Sequence, residues 1–157
     1  MKKKERKINN LVFKRANLKD VKIFFKWIND ISVRKNSNIK RKIKFKHHYS
    51  WFKKKLKSTK SLFFILKSGN KLIGQIRLDQ QKKGILISYS IDKNYRNRGY
   101  GLILIKKLER IAKKYFKNKT LYAKVKKENI ASNKIFTAIN YKCYYKNNFF
   151  YYKKSLK

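Results

Sequence analysis

The residues with the clearest chemical use are Arg96-Asn97-Arg98-Gly99-Tyr100-Gly101, two glycines one residue apart behind two arginines. Upstream, Ile87-Ser88-Tyr89-Ser90-Ile91-Asp92 has the pattern of a strand, and a long apolar-periodic segment begins at once downstream. A basic loop between a strand and a helix turns successive backbone N–H groups toward one point, where the positive end of the helix dipole also lies. Such a point holds a diphosphate. Gly99 and Gly101 let the main chain approach the anion without a Cβ in the way, while Arg96 and Arg98 add charge. Two of the five glycines of the chain sit here. The stretch is not a Walker A loop, because no Gly-Lys-Ser/Thr ending follows, and the dinucleotide fingerprint fails because position 104 is Leu.

The elements that must position this loop follow from periodicity. Leu11 to Arg15 reads as a strand and Leu18 to Asn29 as a helix with Val21, Phe24, Phe25 and Ile28 on one face. Asp30 to Phe45 is polar and irregular, and His47 to Leu56 is a second helix. Strands follow at Leu62 to Leu66, Lys71 to Asp79 and Gly84 to Ile91, the last two joined over Gln80 to Lys83. Gly99 to Phe116 is a long amphipathic helix carrying Leu104, Leu108, Ile111 and Tyr115. Thr120 to Lys126 is a strand, Ile130 to Ile139 a short helix, and Tyr141 to Lys146 with Phe149 to Lys153 a terminal hairpin. The order lacks the regular crossovers of a doubly wound sheet, so the class is mixed α/β in one domain, 1–157.

Composition narrows the partners. Lys and Arg total 46 against 7 Asp and Glu, a formal charge of +39, while 42% hydrophobic content with 15% aromatics is enough to fill a core. Lys outnumbers Arg 38 to 8, which fits a bias in base composition better than nucleic-acid readout, where Arg forks are favoured. The field still draws polyanions, so nonspecific association with RNA is expected of it. No run approaches a membrane span, and the basic start, Met1 to Lys7, leads to Asn9 and Asn10 rather than to an apolar region; the expected setting is cytoplasmic. Cys143 stands alone, and no Cys/His cluster has zinc-ligand spacing, so no metal is expected.

Arg96-x-x-Gly99-x-Gly101, between the fourth strand and the long helix, resembles the acetyl-CoA pyrophosphate loop of the GNAT superfamily of N-acetyltransferases. Glu128-Asn129-Ile130-Ala131-Ser132-Asn133, running on through Phe136 to Asn140-Tyr141, resembles the next motif of that family, with Asn140 where Gly is usual; Asn is the best substitute for Gly in the left-handed conformation after a helix. The resemblance covers nearly the whole chain. It implies the GNAT-type fold: a central twisted, mostly antiparallel sheet splayed between strands 4 and 5 and flanked by about four helices. Acetyl-CoA is then the co-substrate, its arm along Ser90, Ile91 and Asp92, its pyrophosphate on Arg96 to Gly101, with Asn129, Ser132 and Phe136 facing it from the next helix. Trp27-Ile28-Asn29-Asp30, Val33 to Ser37, His48-x-x-Trp51-Phe52 and Gly74 to Asp79 are similar to the branch that acetylates UDP-linked 4-amino-sugars in pseudaminic-acid-type pathways. The Trp-x-Asn-Asp segment also recurs in branches that acetylate ribosomal proteins.

The resemblance carries departures with chemical consequences. Where related enzymes often have a Glu base and a Tyr acid, this chain has Lys124 and Phe136. A positive neighbour lowers the pKa of an amine and favours its reactive neutral form. At pH 7 about a tenth of an amine of pKa about 8 is already neutral, against about one in 2,500 for a lysine side chain, so a sugar amine or a protein N-terminus is a better acceptor than a lysine. Asp79, Glu128 and His48 are alternative bases, while Trp27, Arg34, Asn36, Trp51 and Arg77 are the expected acceptor contacts. Three functions follow: an acetyltransferase for a nucleotide-activated amino sugar, one for a protein N-terminus, or a lapsed member that binds RNA. Either a monomer or a homodimer is compatible with the terminal hairpin, one of whose faces has the look of a dimer surface.

Overall fold

A computed structural model describes residues 10–117 and 119–156; the basic start, Met1 to Lys7, lies outside them. The strands are β1 (Leu11–Arg15), β2 (Ser61–Ser68), β3 (Lys71–Gln81), β4 (Gly84–Ile91), β5 (Thr120–Lys126), β6 (Lys142–Lys146) and β7 (Phe149–Ser155). The helices are α1 (Val21–Ile28), α2 (Ile31–Asn36), α3 (Phe45–Lys57), α4 (Tyr100–Tyr115) and α5 (Ile130–Ala138). All seven strands form one sheet in the order β1-β2-β3-β4-β5-β7-β6, antiparallel except for the β4–β5 pair. The mixed α/β class and the splayed sheet are therefore present.

The period of two along the strands sorts side chains onto two faces. Leu62, Phe64, Ile76, Leu78 and Ile85 meet Leu104, Ile105 and Leu108 of α4 in the main core. Phe63 and Ile65 point the other way and pack against Phe24 and Trp27 of α1 and Phe52 of α3. Helices thus cover both faces of the first half of the sheet. Each fully buried Leu or Phe contributes on the order of 1.5–3 kcal/mol by leaving water.

Two departures from the sequence expectations bear on the site. The segment from Asp30 to Phe45, expected to be irregular, contains α2, so five α-helices are described in place of the expected four. Its nucleus is Asp30, whose carboxylate accepts hydrogen bonds from the Ser32 and Val33 amides at 3.0 and 3.3 Å. The β3–β4 hairpin closes at Lys82 and Lys83 rather than over Gln80 to Lys83, because β3 continues to Gln81, which pairs with Gly84.

Candidate active site

The site begins where pairing stops. Only Ile85↔Leu121 and Leu86↔Tyr122 join β4 to β5; past them the two strands part. The gap opens into two cavities, one on each face of the sheet. A cavity of about 500 Å³ lies toward α4 and α5, and one of about 1050 Å³ lies toward α1 and α3. Ser88, Tyr89, Ser90 and Lys124 line both. A ligand in one cavity therefore reaches a ligand in the other through the sheet.

The smaller cavity is built for an anion with a long arm. A 3-10 turn, Lys93–Tyr95, leads to Asn97 at φ 58 and Gly99 at φ 78, and Gly99 caps α4. Positive φ at Gly99 turns the chain into the helix, whose first N–H groups have no intrahelical acceptor and face the cavity mouth. At Gly101 a Cβ would come within 2.6 Å of Ile135 Cδ1 and 3.7 Å of Tyr89 Cε2, so the bare main chain lets the Ile135 side chain of α5 lie directly against α4. Ser90, Ile91, Arg96, Asn97, Gly99, Tyr100 and Gly101 line this cavity from one side; Asn129, Ser132 and Phe136 line it from the other. The donor set and the small residues fit the pyrophosphate and pantetheine of a coenzyme A thioester.

Arg96 has a second task. Its Nε donates to the Ile91 carbonyl at 3.0 Å and its Nη2 to Asp30 Oδ1 at 2.7 Å. It locks the loop to α2 instead of offering a free fork to phosphate. Asp92 and Arg98, expected beside the cofactor, do not line the cavity. The Asp92 amide is spent on the Ile73 carbonyl, and its carboxylate accepts from the Trp27 indole at 2.9 Å and the Asn94 amide at 3.0 Å. The Arg98 guanidinium lies 5.8 Å from the Tyr95 ring.

Six cations surround the larger cavity, Arg34, Arg77, Lys82, Lys83, Lys124 and Lys153, and among the described residues its lining has no carboxylate. Arg77 pairs with Asp79 at 2.6 Å and lies 5.1 Å from the Trp51 ring. Arg34 is largely committed to its own loop, donating to the Ile39 carbonyl and Ser37 Oγ. Asn36 lines both cavities from α2, which Lys126 ties to β5 by donating to the Lys35 and Ser37 carbonyls. Trp27, expected as an acceptor contact, is 3% exposed in the core beneath α1 and lines neither cavity. Its indole holds Asp92 instead.

The three alternative bases separate by position. Asp79 is buried between Arg77, Lys55 and Ser61 and touches neither cavity. Glu128 is exposed and also lies off both. His48 lines the larger cavity, is 3% exposed, and its Nε2 has no hydrogen-bond partner among the described residues. Burial pushes the His48 pKa down, against a smaller upward pull from the Val21 carbonyl, which keeps the ring neutral at pH 7. Tyr89 is a site residue that the sequence reading misses. Its hydroxyl sits 2.8 Å from Ser132 Oγ, and burial pushes its pKa up to about 12. The alternation along β4 next to Ser90 is the available signal: it puts Tyr89 on the cofactor side.

Acid should undo this arrangement in two stages. The unfolded His48 takes up a proton near pH 6.5 while the folded one resists it, so stability falls as pH drops below about 6.5. Burial alone would raise the carboxyls of Asp30, Asp79 and Asp92, but their cationic and hydrogen-bonding partners outweigh it and hold each below the usual range. For Asp92 the partners are the Asn94 amide, the Trp27 indole and Lys26. That second contribution is lost below about pH 4, as the paired carboxylates are protonated. Thermal unfolding midpoints measured from pH 8 to 3 should show both steps, and a flat profile between pH 7 and 5 would contradict a buried neutral imidazole.

A sheet opened between its fourth and fifth strands, with a glycine-bearing loop at a helix N-terminus on one face and a second cavity on the other, is the arrangement of an acyl-CoA-dependent N-acyltransferase. Residues 25–141 match the model of the acetyltransferase (GNAT) family, and the chain belongs to that family, whose co-substrate is acetyl-CoA. No curated protein sequence matches it. Among solved structures it is similar to the acetyltransferase yncA of Salmonella typhimurium with acetyl-CoA: 11% identity, 95% of each chain, TM-score 0.79. The spermidine N-acetyltransferase of Vibrio cholerae, in complex with CoA and spermine, is 12% identical over 93% of this chain and 95% of that one, with a TM-score of 0.81. The N-acetyltransferase PseH of Campylobacter jejuni is 20% identical over 94% of this chain and 99% of that one, at 0.70. These likenesses establish the shared fold.

Among the described residues no helix is long and apolar enough to cross a membrane, and no group of three or more potential metal ligands occurs.

Proposed function

We propose that this enzyme acetylates the amine of an anionic small molecule, the 4-amino group of a UDP-linked amino sugar. The observation that carries the proposal is the charge of the acceptor cavity, six cations and, among the described residues, no carboxylate. A polyamine would find cations and, among the described residues, no carboxylate on this wall, whereas a sugar diphosphate finds four lysines and two arginines. The segments around Trp27, His48 and Gly74 that resemble the amino-sugar branch support the same acceptor.

In this reading the amine crosses the gap between β4 and β5 and attacks the thioester carbonyl carbon. The C–N bond forms, the C–S bond breaks, and the amine proton passes to a base while CoA leaves as a thiolate that is then protonated. His48 Nε2 is the base, neutral and unpartnered at the acceptor wall. Lys124, lining both cavities, favours the neutral amine beforehand and stabilises the negative charge that develops afterward. Tyr89, held by Ser132 and protonated at neutral pH, donates a hydrogen bond to the departing sulfur.

Release of CoA should be followed with a UDP-4-amino-sugar, spermidine and short peptides with free N-termini, each offered separately. The expected outcome is turnover with the sugar nucleotide and a kcat/KM at least about 100-fold lower for the others, a difference of about 2.7 kcal/mol. Preferential turnover of spermidine or of the peptides would refute the acceptor assignment.

A further inference from the structure

The second half of the sheet presents an open face that the cofactor does not use. Pairing across β5, β7 and β6 sets three rows of three residues on the side of the acceptor cavity. One row is Tyr122, Lys153 and Lys142; the next is Lys124, Tyr151 and Tyr144. The third is Lys126, Phe149 and Lys146. The helices on this side, α1 and α3, pack over Phe63 and Ile65 in the first half of the sheet. Tyr144 is 47% exposed, and Lys142, Lys146, Lys153 and Lys124 are also exposed.

Lysines cover much of this protein, so they alone single out nothing. The four rings among them do. Tyr144 and Tyr151 lie parallel, 4.9 Å apart with 7° between their planes. Lys153 Nζ is 5.2 Å from the Tyr144 ring, and Lys124 Nζ is 4.0 Å from Phe149 and 5.7 Å from Tyr151. Of the four, Tyr144 is exposed on the edge strand β6, and a ring left there costs solubility and invites pairing with other chains unless something covers it. Flat apolar surface set among cations suits a ligand with a flat ring and negative charge. Six of the nine residues, Tyr122, Lys124, Tyr144, Phe149, Tyr151 and Lys153, also line the acceptor cavity. The face is continuous with the place where the amine must sit.

We infer that this face is the nucleotide-recognition wall of the enzyme: it holds the nucleoside diphosphate end of the acceptor, the base on the Tyr144–Tyr151 pair and the diphosphate on Lys153. The assignment rests on the sugar-nucleotide reading and names where its specificity lies. Lys82 and Lys83, at the β3–β4 turn, line the same cavity and add charge to the diphosphate site. Lys126 does not take part, since its ammonium group is bound to the carbonyls of α2.

The probe is UDP alone, titrated by calorimetry into the wild type and into Tyr144→Ala, Tyr144→Phe and Lys153→Ala, with acetyl-CoA titrated in parallel. With a base–ring stack lost, UDP affinity should fall about ten-fold or more in Tyr144→Ala and persist in Tyr144→Phe. Acetyl-CoA affinity should stay within about two-fold in all three, which also reports an intact fold. UDP binding that is unchanged in both alanine variants overturns the inference, even if the sugar nucleotide is turned over and the proposed function stands. Binding of oligouridylate through Tyr144 with no binding of UDP also overturns it and makes the face an RNA surface. If UDP binds through Tyr144 but the UDP-amino sugar is not acetylated, the wall is supported and the acceptor assignment fails.

Discussion

Gly101→Asp and Gly99→Asp should each raise the dissociation constant for acetyl-CoA by about 100-fold or more. The two substitutions act by different routes. At Gly101 the added Cβ starts 2.6 Å from Ile135 Cδ1, so the end of the Ile135 side chain must turn aside as a carboxylate enters the cradle. At Gly99 a Cβ meets nothing within 4 Å, but φ is 78, and the new carboxylate lies at the helix N-terminus that would hold the pyrophosphate. Each hydrogen bond to a charged group is worth about 1.5–3 kcal/mol, so losing one or two of them accounts for the effect. Gly99→Asn separates charge from backbone. Asn tolerates the left-handed conformation and is neutral, so its dissociation constant should rise less than about ten-fold. Calorimetric titration of acetyl-CoA measures all three; wild-type affinity in both Asp variants would mean that the pyrophosphate binds elsewhere.

The parts of the site that can be read from sequence are those whose function is written in adjacent residues. The loop from Arg96 to Gly101 and the helix from Ile130 announce themselves by glycine spacing, capping chemistry and periodicity. What sequence conceals depends on partners far apart in the chain. Trp27 has the look of a pocket residue until its indole is seen bonded to Asp92, 65 residues away. Asp30 caps a helix too short for its periodicity to register, and the same carboxylate receives Arg96 from the phosphate loop. Asp79 reads as a candidate base because one carboxylate beside one arginine leaves it available; Lys55 and Ser61, supplied by α3 and β2, complete its neutralisation. The aromatic and lysine residues of the terminal hairpin suggest a core face and a dimer surface. Only the β5–β7 register shows that one of its faces continues the acceptor cavity.

The charge of the chain takes on a different meaning in this light. A surface excess of lysine creates a field over the whole molecule, but the absence of carboxylates among the described residues of the acceptor cavity is local. Most of the few acidic residues have structural work: Asp20, Asp30, Asp79, Asp92 and Glu109 each pair with a cation. Scarcity of acid leaves this cavity with cations and, among the described residues, no carboxylate on its wall, so the proposed mechanism gives proton removal to a group that is neutral when it accepts a proton.

His48→Gln tests that assignment and should lower kcat by about 100-fold or more, the range of a general base, with little change in the acetyl-CoA dissociation constant. The pH profile carries the stronger discrimination. Two groups must be deprotonated for attack in the wild type, the acceptor amine and His48, so log(kcat/KM) should fall with a slope of about two once pH drops below the pKa of both. Burial holds His48 below the usual imidazole value, which puts that break below about pH 6.5. In His48→Gln the amine alone titrates, and the slope should remain about one down to the acid limit of stability. A residue that merely packs against Phe25, Trp51 and Phe52 would lower the unfolding midpoint on substitution and leave the slope unchanged. A slope of about two in the variant would therefore remove His48 from the chemistry, whatever the fall in rate.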